Sequence, residues 1–217
     1  MFIGHFALGL AAKRVAPRTS LGTLFAAPTL ADLLWPVFLL TGWERVSIVP
    51  GPNPFLTLSF DSFPISHSLL TLVGWGILFA LPYRLRTGYA RGAVVVALLV
   101  VSHWVLDFVT HVPDMPLYPG SPRVGLGLWH SVAGTVIVEG LMLAAGTWIY
   151  LRATRARDAA GRYGLRALLA LLVVSYVGSL FTGPPPTLRA LEIGGIVFGW
   201  LFVLLAAWAD RHREPVA

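Results

Sequence analysis

Six stretches of the chain run apolar with few charges: 21–43, 65–82, 92–112, 124–151, 165–182 and 189–209. A bilayer core about 30 Å thick needs roughly 20 residues of helix at 1.5 Å each, so every stretch reaches or approaches a full crossing. The run 65–82 lies near the short limit. The expected fold is therefore all-α: a polytopic transmembrane helical bundle of about six spans. The apolar segment 1–15 is too short to cross and is expected as a short re-entrant or packed N-terminal helix. It lacks a basic residue ahead of its apolar run and a clear small-residue cleavage site after it, so a secretory signal is not expected. With no internal repeat and no polar, low-complexity tract, residues 1–217 read as a single integral-membrane domain.

Composition supports that reading. Hydrophobic residues make up 56% and charged residues 12%, at a mean hydropathy of +0.74. Soluble domains carry about 25% charged residues. A net charge of +6 could point to nucleic acid, but the basic residues sit in the short connections, where they set topology, and no nucleic-acid partner is expected. Thirteen of the 16 basic residues fall in the connections around 13–18, 84–91 and 152–166 and after 209, all on one side of the expected spans. The other side holds Arg45, Arg123 and Arg189. By the positive-inside rule both termini are expected in the cytoplasm of a bacterial inner-membrane protein. The outer connections are proline-rich (44–64, 113–123 and 183–186) and are expected to be stiff. The chain has no cysteine, so any metal is held by nitrogen and oxygen.

Ionisable residues inside spans are costly and mark function. Counted from the basic side, Asp32, His67, His103, Asp107 and Glu139 fall about 17–23 Å deep on four helices, close to one layer. His5 reaches that layer if its short helix tilts inward, whereas His111 and His130 are expected about 10 Å nearer the outer mouth. His103 and Asp107 stand four apart in Ser-His-Trp-Val-Leu-Asp and so share one helix face. Pro64 opens the helix that carries His67. Pro28, four residues before Asp32, is expected to kink the first span and free backbone carbonyls. No basic residue lies in this layer, and a bound cation would offset the cost of burying its carboxylates. Metal ligands are thus expected among His5, His67, His103, Asp107 and Asp32, with Asp32 or Glu139 as a general base. Asp61, Asp114 and Asp158 are expected to be solvated loop charges.

These residues resemble the membrane-bound metal-dependent hydrolases of bacteria, a family also described as LexA-binding, inner-membrane-associated hydrolases. The resemblance rests on Gly4-His5, the Pro28-to-Asp32 motif, Ser66-His67-Ser68, and His103 with Asp107, all within residues 1–111. The second acid and the histidine common in the family's Asp32 motif are absent, which favours one ion over two. The resemblance implies a zinc-type cofactor, Zn2+ or another divalent transition metal, and hydrolysis. Zinc takes His and carboxylate ligands, and its catalytic sites keep a position open. A site among spans, with no soluble domain, implies membrane lipids or a lipid-linked small molecule as substrate. The competing expectation is a metal-ion or proton transporter using the same cluster; a third is a non-catalytic adaptor whose metal is structural.

Overall fold

The computed structural model describes residues 1–216 and is mostly helical, with 66% of residues in helices. Short helices α1 (Ile3–Ala12), α2 (Leu21–Ala26) and α3 (Leu30–Leu40) come first. A hairpin of β1 (Arg45–Ile48) and β2 (Leu58–Ser62) follows, then the single turn α4 (Pro64–His67). The long helices are α5 (Leu69–Thr87), α6 (Ala90–Thr110), α7 (Val132–Ala153), α8 (Ala159–Phe181) and α9 (Leu188–Arg211). Two further antiparallel pairs, β3 (Met115–Pro116) with β4 (Arg123–Val124) and β5 (Thr154–Ala156) with β6 (Arg213–Pro215), tie connections together.

Local chemistry sets the helix boundaries. Side-chain oxygens of Ser68, Ser131, Asp158 and Thr187 accept from the first-turn amides of α5, α7, α8 and α9, satisfying donors that a helix start leaves free. Gly88, at φ +67°, ends α5 and lets the chain turn at once into α6.

All five long helices are apolar enough to cross a membrane. Each presents a large aliphatic residue outward: Leu78, Leu98, Leu141, Val174 and Leu204 are 62 to 67% exposed. Such a surface suits lipid rather than water, and the protein is a polytopic helical membrane bundle. The sixth expected span, 21–43, is divided. Pro28 has no amide hydrogen to continue the helix, and the Thr29 hydroxyl donates to the Phe25 carbonyl at the break. The α2–α3 pair nonetheless runs antiparallel along α9: Gly22 faces Ala207, Leu33 faces Gly199 and Pro36 faces Gly195. Gly195 and Gly199 thus form a small-residue seam, since a Cβ on either would come within 2.7 Å of an α3 side chain. The expected span 65–82 is also divided, between α4 and α5 at Ser68, and the helix expected from 124 begins only at Val132.

Helix α1 lies at the centre, packed as expected and almost wholly buried. Its Ala7 backbone presses on Gly146 of α7, and Phe6 meets Phe25 and Phe202 edge-on. The basic connections gather at one end. Thr19 bonds Tyr83, Arg18 covers the Tyr89 ring, Lys13 pairs with Asp210, and the Arg157 amide donates to His212. At the opposite end, Arg123 donates to Phe60 and Asp61 carbonyls and Asn53 to that of Trp129.

Candidate metal centre

The two helix breaks meet beside α6. Pro28, at the gap between α2 and α3, offers its carbonyl to His103 Nδ1 at 2.8 Å, as the expected kink would allow. A carbonyl only accepts, so Nδ1 carries the proton and Nε2 keeps its lone pair. His67, the last residue of α4, is fixed the same way. The Ser66 hydroxyl donates to Glu44 Oε2 at 2.5 Å and so accepts from His67 Nδ1 at 2.6 Å. Glu44, buried in the connection before β1, also takes the Ile65 and Ser66 amides at 2.7 and 2.8 Å. His111 donates from Nδ1 to Asp114 Oδ1 at 2.9 Å. Three imidazoles are thereby oriented by an oxygen behind them, the pattern that metal-ligating histidines show.

Their Nε2 atoms converge on two carboxylates. His103 Nε2 lies 3.1 Å and His111 Nε2 3.7 Å from Asp107 Oδ2, and His67 Nε2 is 4.0 Å from it. His67 and His103 Nε2 lie 3.6 and 3.9 Å from Asp32 Oδ1. His5 stacks on His103 at 4.1 Å between ring centres and places Nε2 3.1 Å from Asp107 Oδ1. The amine of Met1 donates to the same oxygen at 2.5 Å. Two donor sets result, His5 with His103 and Asp107, and Asp32 with His67 and His103.

The residues fit a divalent ion. Ligands about 2.0–2.2 Å from a tetrahedral zinc stand roughly 3.3–3.6 Å apart, close to the observed separations. His103 Nε2 is buried with no hydrogen-bond partner, as is His5 Nδ1. No Lys or Arg side chain pairs with Asp32 or Asp107 among the described residues. Both sets draw on His103 Nε2, and with Nδ1 committed to Pro28 that single lone pair serves one ion. The site is open on one side: the Asp32 side chain is 47% exposed while Asp107 is 3% exposed. Trp35, Phe60, Phe63 and Trp129 wall the outer flank around His67 and His111.

All five expected ligands, His5, Asp32, His67, His103 and Asp107, are brought together. Other expectations change. His111 is not at the mouth but buried against Asp107, because α6 ends at Thr110 and the chain folds His111 back over the site. Asp114 is not a free loop charge, since it holds His111. Glu139 stands apart from both donor sets, and its Oε2 accepts from the Phe2 and Gly4 amides at the start of α1, at 2.8 and 3.1 Å. His130 is exposed. Glu44 escaped the sequence reading, as it lies 22 positions before Ser66 with no spacing to link them. Asp114 carried a signal, three residues after His111.

The model of the YdjM inner membrane protein family matches residues 63–185, more than half of the chain. The chain belongs to that family. As a YdjM-family member it is a bacterial inner-membrane protein. The match takes in His67, His103, Asp107, His111 and Asp114, and it extends through the whole of α7 and α8, beyond the residues that carried the resemblance. His5, Asp32 and Glu44 precede the part matched to YdjM. No curated protein and no solved structure matches the chain.

Proposed function

We propose that this protein is a metal-dependent, zinc-type hydrolase of the inner membrane, acting on a lipid or lipid-linked substrate. One observation carries the proposal: three imidazoles anchored through Nδ1 turn their Nε2 atoms toward two carboxylates that no Lys or Arg neutralises, the Met1 amine reaching only one oxygen of Asp107. Three ligands from among His5, His67, His103 and Asp107 would hold one ion and leave a fourth position open. When bound, such an ion supplies a Lewis acid that polarises a scissile carbonyl or phosphoryl group. Asp32, on the exposed side, is placed to accept the proton of an attacking water at a carboxylate oxygen. Glu44, through Ser66, holds the His67 ring in one tautomer. Glu139 positions α1, and with it His5, through the two amides it accepts.

Hydrolysis accounts for the surroundings better than transport does. Between the cluster and the basic end lie Leu10, Leu24, Phe25, Val96 and Val100, all 0% exposed, so that direction offers no polar path. Access is from the Asp32 side, toward the end with few basic residues, and the positive-inside rule puts that end outside the cytoplasm. Reporter fusions at Arg86 and Arg157 should then read cytoplasmic, and those at Asn53 and Gly120 external.

The test combines metal analysis with a lipid digest. Purified protein should carry about one zinc per chain and release products from a bacterial lipid extract, read by mass spectrometry. Asp32→Asn should keep the ion and lose about 10²–10⁴-fold in rate, the usual cost of removing a general base. Zinc-loaded protein that cleaves nothing in the extract, yet moves zinc into sealed liposomes, would replace this reading with transport.

A further inference from the structure

A second feature lies away from the metal centre. Between α7 and α8 runs a groove of about 450 Å³, within the size range of small-molecule sites. Gly140 and Leu143 of α7 face Leu169 and Val173 of α8 across it, and Ile3 of α1 contributes to its lining. Leu141 and Val174, next to these lining residues, are 67 and 66% exposed on the lipid-facing surface, so what fills the groove comes from the bilayer. One polar group lines it besides Thr147: Tyr176, 4% exposed, whose hydroxyl is buried with no hydrogen-bond partner.

A second orphan oxygen lies close by. Glu139 sits on α7 among the lining residues Val136, Gly140 and Leu143, and its Oε1 is buried without a partner. Phe2 joins the two residues, its amide donating to Glu139 Oε2 at 2.8 Å and its ring 6.1 Å from that of Tyr176. A polar atom left unpaired in hydrocarbon is costly. A phenol can donate and a carboxylate accepts only. An alcohol offers the complement to each, an oxygen that can accept from Tyr176 and a proton that can go to Glu139.

We infer that the α7–α8 groove is a lipid site distinct from the metal centre, which takes one alkyl chain carrying a hydroxyl group near Tyr176 and Glu139. The site goes beyond the hydrolase reading and does not need the ion. It touches the metal centre indirectly, because Glu139 holds the start of the helix that carries His5.

The test uses two photoreactive probes with the same diazirine-bearing chain, a monoacylglycerol with free hydroxyls and a fatty acid methyl ester with none. Each is added to the purified full-length protein, and cross-linked peptides are mapped by mass spectrometry. The monoacylglycerol should label the stretches around Leu143 and Val173 several-fold more than the ester. Gly140→Phe should block that labelling, since a Cβ at Gly140 meets nothing within 4 Å and the ring can enter the groove. Tyr176→Phe, a smaller change, should abolish the preference for the alcohol while leaving total labelling near that of the ester. His103→Ala should leave both patterns unchanged, so this result is independent of the metal reading. Equal labelling by the two probes, indifferent to Tyr176→Phe, would overturn the inference and leave ordinary surrounding lipid, with buried water on the two oxygens.

Discussion

Two of the places where the bundle buries charge are built to opposite plans. At the basic end Asp210, 9% exposed, has a partner for both oxygens. Lys13 Nζ donates to Oδ2 at 2.6 Å, the Leu21 amide to Oδ2 at 2.9 Å and the Tyr150 hydroxyl to Oδ1 at 2.8 Å. Lys13 also donates to the Thr19 carbonyl. The cation is a side chain of the protein, and the cluster joins α1, α2, α7 and α9 without leaving a polar atom of these groups unpaired. At the other cluster two carboxylates face four histidines with no Lys or Arg, and His103 Nε2 and His5 Nδ1 have no partner. A buried pair supplied with its own counter-ion is a clasp. A buried set whose only cation is the Met1 amine, on one oxygen of Asp107, and whose His103 Nε2 and His5 Nδ1 lack partners, has an arrangement that suits a bound ion.

Replacing one residue in each cluster separates these roles. The largest effect falls on metal content. His103→Ala and Asp107→Ala should each lower zinc from about one ion per chain to none by elemental analysis, with the bundle still folded, because a catalytic site of this kind has only about three protein ligands. Full occupancy in both variants would remove the metal centre from the argument. Asp210→Ala should do the reverse. It leaves the Lys13 ammonium buried and unpaired, a change that costs about 3–5 kcal/mol, read as a loss of stability in denaturant melts of detergent-solubilised protein. The zinc content of the folded fraction should stay at the wild-type level. If Asp210→Ala loses zinc in the folded fraction too, the clusters are coupled and the contrast fails.

An intermediate effect tests how the site is held. Glu44→Gln replaces a carboxylate that accepts two amides and the Ser66 hydroxyl with a group having one acceptor oxygen. His67 then loses its fixed tautomer. Loss of such a support typically costs 10–100-fold in metal affinity. Competition against a zinc chelator measures it, and an unchanged affinity would show that His67 is not a ligand.

The two clusters also differed in how far the sequence revealed them. The grouping of His5, Asp32, His67, His103 and Asp107 was legible because chemistry and spacing coincide. His103 and Asp107 lie four apart on one helix, Pro28 and Pro64 mark the breaks that bring Asp32 and His67 to it, and apolar neighbours on all sides place them within the membrane. The helical bundle was legible for the same reason, since long apolar runs admit little else. What stayed hidden depends on tertiary closure. Nothing in the spacing of Lys13 and Asp210, nearly the whole chain apart, announces a pair. Glu44 looked like a loop acid until the β1–β2 hairpin folded it under α4. His111 was placed by depth along a straight helix, and the chain instead turns at Thr110. The division of the first span was foreseen as a kink at Pro28, but not that it would end the helix outright.

The smallest effect is expected at the surface of the basic end, where a charge pair has little burial behind it. Asp158 accepts the Gly161 amide through Oδ1 and meets His212 Nδ1 through Oδ2, both at 2.8 Å, linking the start of α8 to the tail after α9. The His212 bond first, and the amide second, hold its carboxyl below the ordinary 3.8. A carboxyl depressed in the folded state stabilises the fold above its unfolded value, and that contribution is lost as pH falls through the folded value. Asp158→Asn keeps an oxygen to cap α8, as asparagine caps well, and removes only the charge. The variant should melt slightly below wild type at about pH 6, with the gap closing as pH falls below the ordinary 3.8 and the wild-type carboxyl protonates. A gap that persists unchanged at the acid end would assign the difference to altered capping rather than to charge.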